Sequence, residues 1–154
     1  MTQYIPAVRI LPMSPNEKTF RGRSVEDVQY GFFLVELPAP ERNGRYRYPT
    51  SGLSAEPGTA VLFQYDGRII ASAIFDRHER FERPEGGYKG ALWFDVKSIR
   101  IFRPVGPDEV RAIWPEFRHF GHVKQYLDPT NYPAFEKQLV GVVAPEQNSR
   151  GDAI

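Results

Sequence analysis

Two apolar runs, Thr59-Ala60-Val61-Leu62-Phe63-Gln64-Tyr65 and Arg68-Ile69-Ile70-Ala71-Ser72-Ala73-Ile74-Phe75, meet at Asp66-Gly67. Asp-Gly supplies the two positive-φ positions of a type I′ turn, whose twist matches that of the antiparallel strands it joins. A β-hairpin therefore anchors any fold available to this chain. The small residues Ala71, Ser72 and Ala73 beside bulky neighbours suit a tightly curved sheet, in which interior positions must differ in size. After a charged stretch from Asp76 to Glu85 and a Gly86-Gly87 turn, Ala91-Leu92-Trp93-Phe94-Asp95-Val96 leads into Ile99-Arg100-Ile101-Phe102. This reads as one long strand region, bent or bulged near Lys97-Ser98.

Fourteen prolines and thirteen glycines cut the rest into short pieces, better suited to strands than to long helices. Tyr4 to Leu11 reads as a first strand and Pro12 to Asn16 as a turn. Ser24-Val25-Glu26-Asp27 carries a helix N-cap pattern, which Gly31 limits to one turn. Tyr30-Gly31-Phe32-Phe33-Leu34-Val35-Glu36-Leu37 is rich in β-formers and is expected to be a strand ended by Pro38 and Pro40. Asn43-Gly44 is a tight-turn dipeptide. Two short helices are expected late in the chain. The first is opened by Pro107, Asp108 and Glu109 and stopped by Pro115, and the second runs from about Pro133 to Gly141. Ala144 to Ile154 is polar and small and is expected to be a disordered tail. The reading is one α+β domain over residues 1–143. Its core is a small curved antiparallel or mixed sheet, or a β-barrel, with short flanking helices.

Composition excludes several functions. No run of 18 apolar residues exists, so no transmembrane helix is expected, and Met1 to Pro6 lacks the pattern of a secretory signal. The absence of cysteine removes disulfides, thiolate metal sites and a cysteine nucleophile, and it fits a reducing, cytoplasmic setting. A net charge of +1 argues against a general DNA coat, although 15 of the 20 basic residues are arginine, the better residue for phosphate forks and for stacking. A GC-rich genome explains that bias equally well. Walker, dinucleotide, nucleophile-elbow and zincin motifs are absent. His119-Phe120-Gly121-His122 has metal-like spacing but no third ligand, Asp76-Arg77-His78 has no nucleophile, and Ser51 sits in a turn-like setting. No cofactor, metal or catalytic set is expected.

The aromatics say more. Strand alternation puts Phe63 and Tyr65 on one face and Leu62 and Gln64 on the other, and it separates Trp93 from Phe94, so that one of this pair faces away from the main core. Arg45-Tyr46-Arg47-Tyr48 interleaves guanidinium groups with rings. That pattern serves either an edge strand with buried tyrosines and solvated arginines or a surface that stacks unpaired bases.

Asn16-Glu17-Lys18-Thr19-Phe20-Arg21-Gly22-Arg23 resembles the G-x-K-x-x-E-x-R element of ASCH domains in the PUA-like superfamily. Lys18 and Arg23 match, while Asn16 replaces the family glycine and Arg21 the family glutamate. Gly58 to Tyr65, with Arg68 to Ile74 and the strand region from Ala91 to Phe102, is similar to that superfamily's hairpin and long strand. The resemblance spans residues 4–105. It implies a small β-barrel whose cleft takes RNA or a flipped, modified base, as in related EVE, YTH and SRA domains. Some ASCH proteins are amidohydrolases that use a lysine, a threonine and a glutamate, and the loss of the motif glutamate keeps that activity from being carried over. The expectation is a module that binds RNA or single-stranded or modified DNA through Lys18, Arg21, Arg23, Tyr48, Tyr65 and Trp93. Two rivals remain: a small hydrolase pairing Lys18 with Asp76 or Glu79, and a protein-interaction domain without a small ligand.

Overall fold

A computed structural model describes residues 4–50, 52–121 and 125–146. Six strands form one sheet: β1 (Val8–Pro12), β2 (Arg45–Tyr48), β3 (Ala60–Tyr65), β4 (Arg68–Glu85), β5 (Tyr88–Phe94) and β6 (Arg100–Val105). The hairpin turn forms as expected, with Asp66 at φ 54° and Gly67 at φ 76°. The order is β1-β3-β4-β5-β2, with β6 also on β4, and every pairing is antiparallel except β1 with β3.

The 18-residue β4 is the spine. Its first half pairs β3 and β6 and its second half pairs β5, so the charged stretch from Asp76 to Glu85 continues the strand. The bend foreseen near Lys97-Ser98 is a 3-10 turn, Val96–Ser98, in which the Asp95 side chain accepts a hydrogen bond from the Lys97 N–H at 3.0 Å. The barrel does not close. Among the described residues, the two ends of the sheet, β1 and β2, do not pair with each other. Pro12 at the end of β1 and Pro49 after β2 lack the N–H groups that a closing ladder needs.

The expected strand over Tyr30 to Leu37 is instead a helix. Residues Asp27–Glu36 form a π-helix, and its i→i−5 pattern ends with the Leu37 N–H on the Phe32 carbonyl at 2.8 Å. Val28 and Phe33, like Phe32 and Leu37, lie one such turn apart, and all four are buried against the sheet. Burial of this face overrides the β-preference of the segment. Ser24 supports the start, its Oγ accepting from the Asp27 N–H at 3.1 Å. Gly31 makes room for a close approach rather than a turn, because a Cβ there would lie 2.6 Å from Nη2 of Arg23 and displace the guanidinium. Through that gap the Arg23 guanidinium donates to the Asp27 carbonyl at 3.3 Å and to both Glu36 oxygens at 3.2 and 2.9 Å, tying the two ends of the helix together.

Both expected late helices form, α1 over Pro107–Ile113 and α2 over Tyr132–Gln138. One core cluster lies between the sheet and the π-helix and holds Phe20, Phe32, Phe33, Tyr46, Phe63 and Phe94. The other lies between the opposite face and the two α-helices, around Leu62, Phe102, Trp114 and Phe135. Alternation in β3 decides which cluster each side chain joins. Val143 exchanges backbone hydrogen bonds with Ile101, each 2.9 Å, and Pro145 is buried. Residues 147–154, most of the expected tail, lie outside the described residues. No helix among the described residues is long and apolar enough to cross a membrane.

Candidate ligand cleft between the sheet ends

Because the sheet stays open, a cleft of about 570 Å3 lies between β1 and β2. Its lining includes Met13, Phe20, Tyr46, Tyr48 and Leu53, with Arg9, Glu17 and Arg47 as charged members. The aromatic part is held from behind. Phe20 meets Phe32 of the π-helix edge-on at 5.0 Å between centroids, and Tyr46 meets Phe32 at 5.9 Å and Phe63 at 5.6 Å. Such ring geometry adds to burial and fixes orientation. Burial pushes the Tyr46 hydroxyl well above its ordinary pKa, with the Glu17 charge adding to the effect, so this side chain stays neutral.

Tyr48 is held by three neighbours. Its hydroxyl is 2.6 Å from Nε2 of His78, and its ring lies close over Gly90 and beside Gly52. A Cβ at Gly52 would sit 2.6 Å from Nε2 of His78, so the segment after β2 closes tightly on this pair. Desolvation lowers the His78 pKa, and the charge of Arg80 lowers it further.

A second depression of about 520 Å3 adjoins the cleft, sharing Ser14, Glu17, Pro49 and Thr50 with it. Lys18, Gly86, Gly87 and Tyr88 line its far side. Glu17 Oε2 accepts from the Thr19 N–H at 3.0 Å and from the Tyr88 hydroxyl at 2.8 Å, and that hydroxyl is 2.7 Å from Thr19 Oγ1. Lys18 donates to the Gly86 carbonyl, and its Nζ lies 5.0 Å from the Tyr88 ring centroid. The Arg47 guanidinium packs on the same ring at 4.4 Å. One tyrosine ring thus carries two cations.

The residues singled out in the sequence do not share one pocket. Tyr48 lines the cleft and Lys18 the adjoining depression. Arg21 is exposed and donates to the Asn16 carbonyl at 3.1 Å. Arg23 is engaged with Glu36, and the buried Tyr65 donates to the Phe20 and Arg23 carbonyls at 3.2 and 2.7 Å, so both hold the motif segment in place. Trp93 points away from the main core, as its alternation with Phe94 requires. There it donates to Glu79 at 3.1 Å and packs under Arg77 at 4.2 Å. Burial alone would raise the Glu79 carboxyl pKa, but hydrogen bonds from Trp93 and Arg45 outweigh it and hold the group below its ordinary value. Asp76 lines a separate outer depression beside Trp93.

In β2, Tyr46 and Tyr48 are buried while Arg45 and Arg47 are half-exposed, the edge-strand form of the Arg/Tyr pattern. Sequence reasoning missed Arg9, Met13, Leu53 and Tyr88, which no local signal marks as neighbours of β2. Among the described residues no His, Asp and Glu group is arranged to hold a metal, and Ser51 and His122 lie outside those residues. Comparison with protein-family models, characterised proteins and solved structures finds no match to the chain.

Proposed function

We propose that the chain is a nucleic-acid-binding module that takes a single unpaired or flipped base of RNA or single-stranded or modified DNA into the cleft between β1 and β2. The observation that carries this reading is the cleft itself: about 570 Å3, an aromatic and apolar floor, and a few charged groups on its walls. Pockets for small planar ligands have this size and make-up, and a base outside its stack is held by ring contacts and polar edges. The likeness to the PUA-like superfamily points the same way. The open cleft also counts against an interaction domain without a small ligand. The hydrolase reading has less behind it, since Asp76 and Glu79 line neither depression and Glu79 is committed to Trp93 and Arg45.

The test is fluorescence anisotropy with labelled short single-stranded RNA and DNA, with and without methylated bases, at low ionic strength, where phosphate contacts are strongest. Thr50 is exposed and lines both depressions, so Thr50→Trp obstructs the cleft from its rim without replacing a core residue. Binding that Thr50→Trp abolishes supports the reading. Absence of binding at low salt, or binding that Thr50→Trp leaves unchanged, overturns it.

A further inference from the structure

The mouth of the cleft concentrates positive charge on one side. Lys18 and Arg47 both rest on the Tyr88 ring, and neither forms an ion pair among the described residues. Lys18 uses one hydrogen bond on the Gly86 carbonyl, which leaves two of its three donors unspent. Arg47 has no hydrogen-bond acceptor among the described residues and offers a full fork. Behind them Arg42 packs on Phe32 at 5.5 Å. Its pKa is lowered first by desolvation and then by the charge of Arg47, so two like charges are held within electrostatic reach of each other. Glu36 is paired with Arg23, while the Glu17 carboxylate accepts from Thr19 and Tyr88, keeps its charge and offsets one of these three cations, which leaves the mouth net positive. Like charges held together by apolar packing store repulsion that an anion relieves.

We propose that Lys18 and Arg47, backed by Arg42, form a phosphate subsite at the mouth of the cleft. The ligand is then a nucleotide unit, its base in the cleft and its phosphate against Tyr88. This rests on the base-binding reading above and adds to it the part of the ligand that is charged. The shared chemistry is a phosphate oxyanion, carried either by a free mononucleotide or by the phosphodiester of a strand. Arginine and lysine bind such oxygens through charge-assisted hydrogen bonds.

Isothermal titration calorimetry with four probe classes separates the possibilities: nucleosides (common and base-methylated), their 5′-monophosphates, inorganic phosphate, and single-stranded tetranucleotides. The subsite predicts that a monophosphate binds at least about ten-fold tighter than its nucleoside, a gap set by one or two charge-assisted bonds. In Lys18→Ala/Arg47→Gln the ratio of monophosphate to nucleoside affinity falls to about one, each measured on the same variant, and Arg47→Lys keeps part of the gap. Lys97→Ala, at a separate surface, leaves all affinities unchanged. A tetranucleotide binding tighter than any monophosphate identifies the phosphodiester as the source, and the reverse order identifies the mononucleotide. Equal affinity for nucleoside and monophosphate overturns the subsite and leaves the base cleft standing. Phosphate binding that depends on Lys18 and Arg47, with no nucleoside bound, overturns the base reading and leaves the subsite. Thermal melts check that each variant is folded, and Arg47→Lys carries the test should the double variant fail to fold.

Discussion

Gln29 is the buried polar residue on which the join between the π-helix and the sheet depends, and its removal has a calculable cost. Ile70 is skipped in both of its ladders. β3 pairs Phe63 with Ala71 and then Gln64 with Ile69, and β6 shifts register between the same two residues of β4. The carbonyls of Ile70 and Phe102 are instead served by the side-chain amide of Gln29, at 3.0 and 2.7 Å. Gln29 is 6% exposed, so water does not replace it. In Gln29→Leu both carbonyls lose their donor, at about 1–3 kcal/mol each, while the added apolar surface returns about 1 kcal/mol. The net loss is about 1–5 kcal/mol, and its mid-range value lowers Tm by roughly 10 °C for a chain of this length. Gln29→Glu, of equal size, is worse, because a carboxylate cannot donate to either carbonyl and is costly to bury. Urea unfolding followed by the fluorescence of the buried Trp114 measures this, with an unchanged m-value confirming that folded-state stability alone has moved. A loss below about 1 kcal/mol for Gln29→Leu would refute the claim that the amide repairs the double bulge.

Two further perturbations test the supports of the cleft. A Cβ at Gly90 would collide with the Tyr48 hydroxyl and sit 2.6 Å from the Glu79 carbonyl, so Gly90→Ala is expected to cost about 1–3 kcal/mol and to weaken ligand binding through Tyr48; unchanged melting would contradict this. His78 has a lowered pKa, so the unfolded chain binds its proton more readily than the folded one. Its contribution to stability is therefore full above the ordinary histidine value of about 6.5 and is lost as pH falls from there through the lower folded value. Wild type should lose stability across that window relative to His78→Gln, and parallel pH profiles for the two proteins would show that His78 is not responsible.

How much of this was legible in the sequence depended on the range of the signal. The β3–β4 hairpin was legible because Asp66 and Gly67 carry their conformational preference locally, and α1 because Pro107 and Pro115 bracket it. The π-helix was not. Its residues favour strands, and what makes them helical is burial of Val28, Phe32, Phe33 and Leu37 against a sheet built mostly from later residues. Gly31 read as a helix breaker because the guanidinium it makes room for arrives from Arg23. The open seam was hidden for a similar reason: strand pattern shows which residues alternate, but not whether the first and last strands of a sheet meet. In the cleft and the depression beside it, Tyr48 and Lys18 were visible in local patterns, whereas Tyr88 joins Arg47 only through the pairing of β2 with β5. Arg23 and Tyr65 matched a binding pattern by residue type, and their donors are spent on the fold itself.

The most direct test of the base-in-cleft account is a backbone amide NMR titration of the protein with a short single-stranded oligonucleotide at low ionic strength. The account predicts that the largest shifts cluster at Met13, Phe20, Tyr46 and Leu53, with Lys18 and Arg47 following. Shifts confined to the opposite surface around Arg77 and Trp93, or no shifts at all, would contradict it.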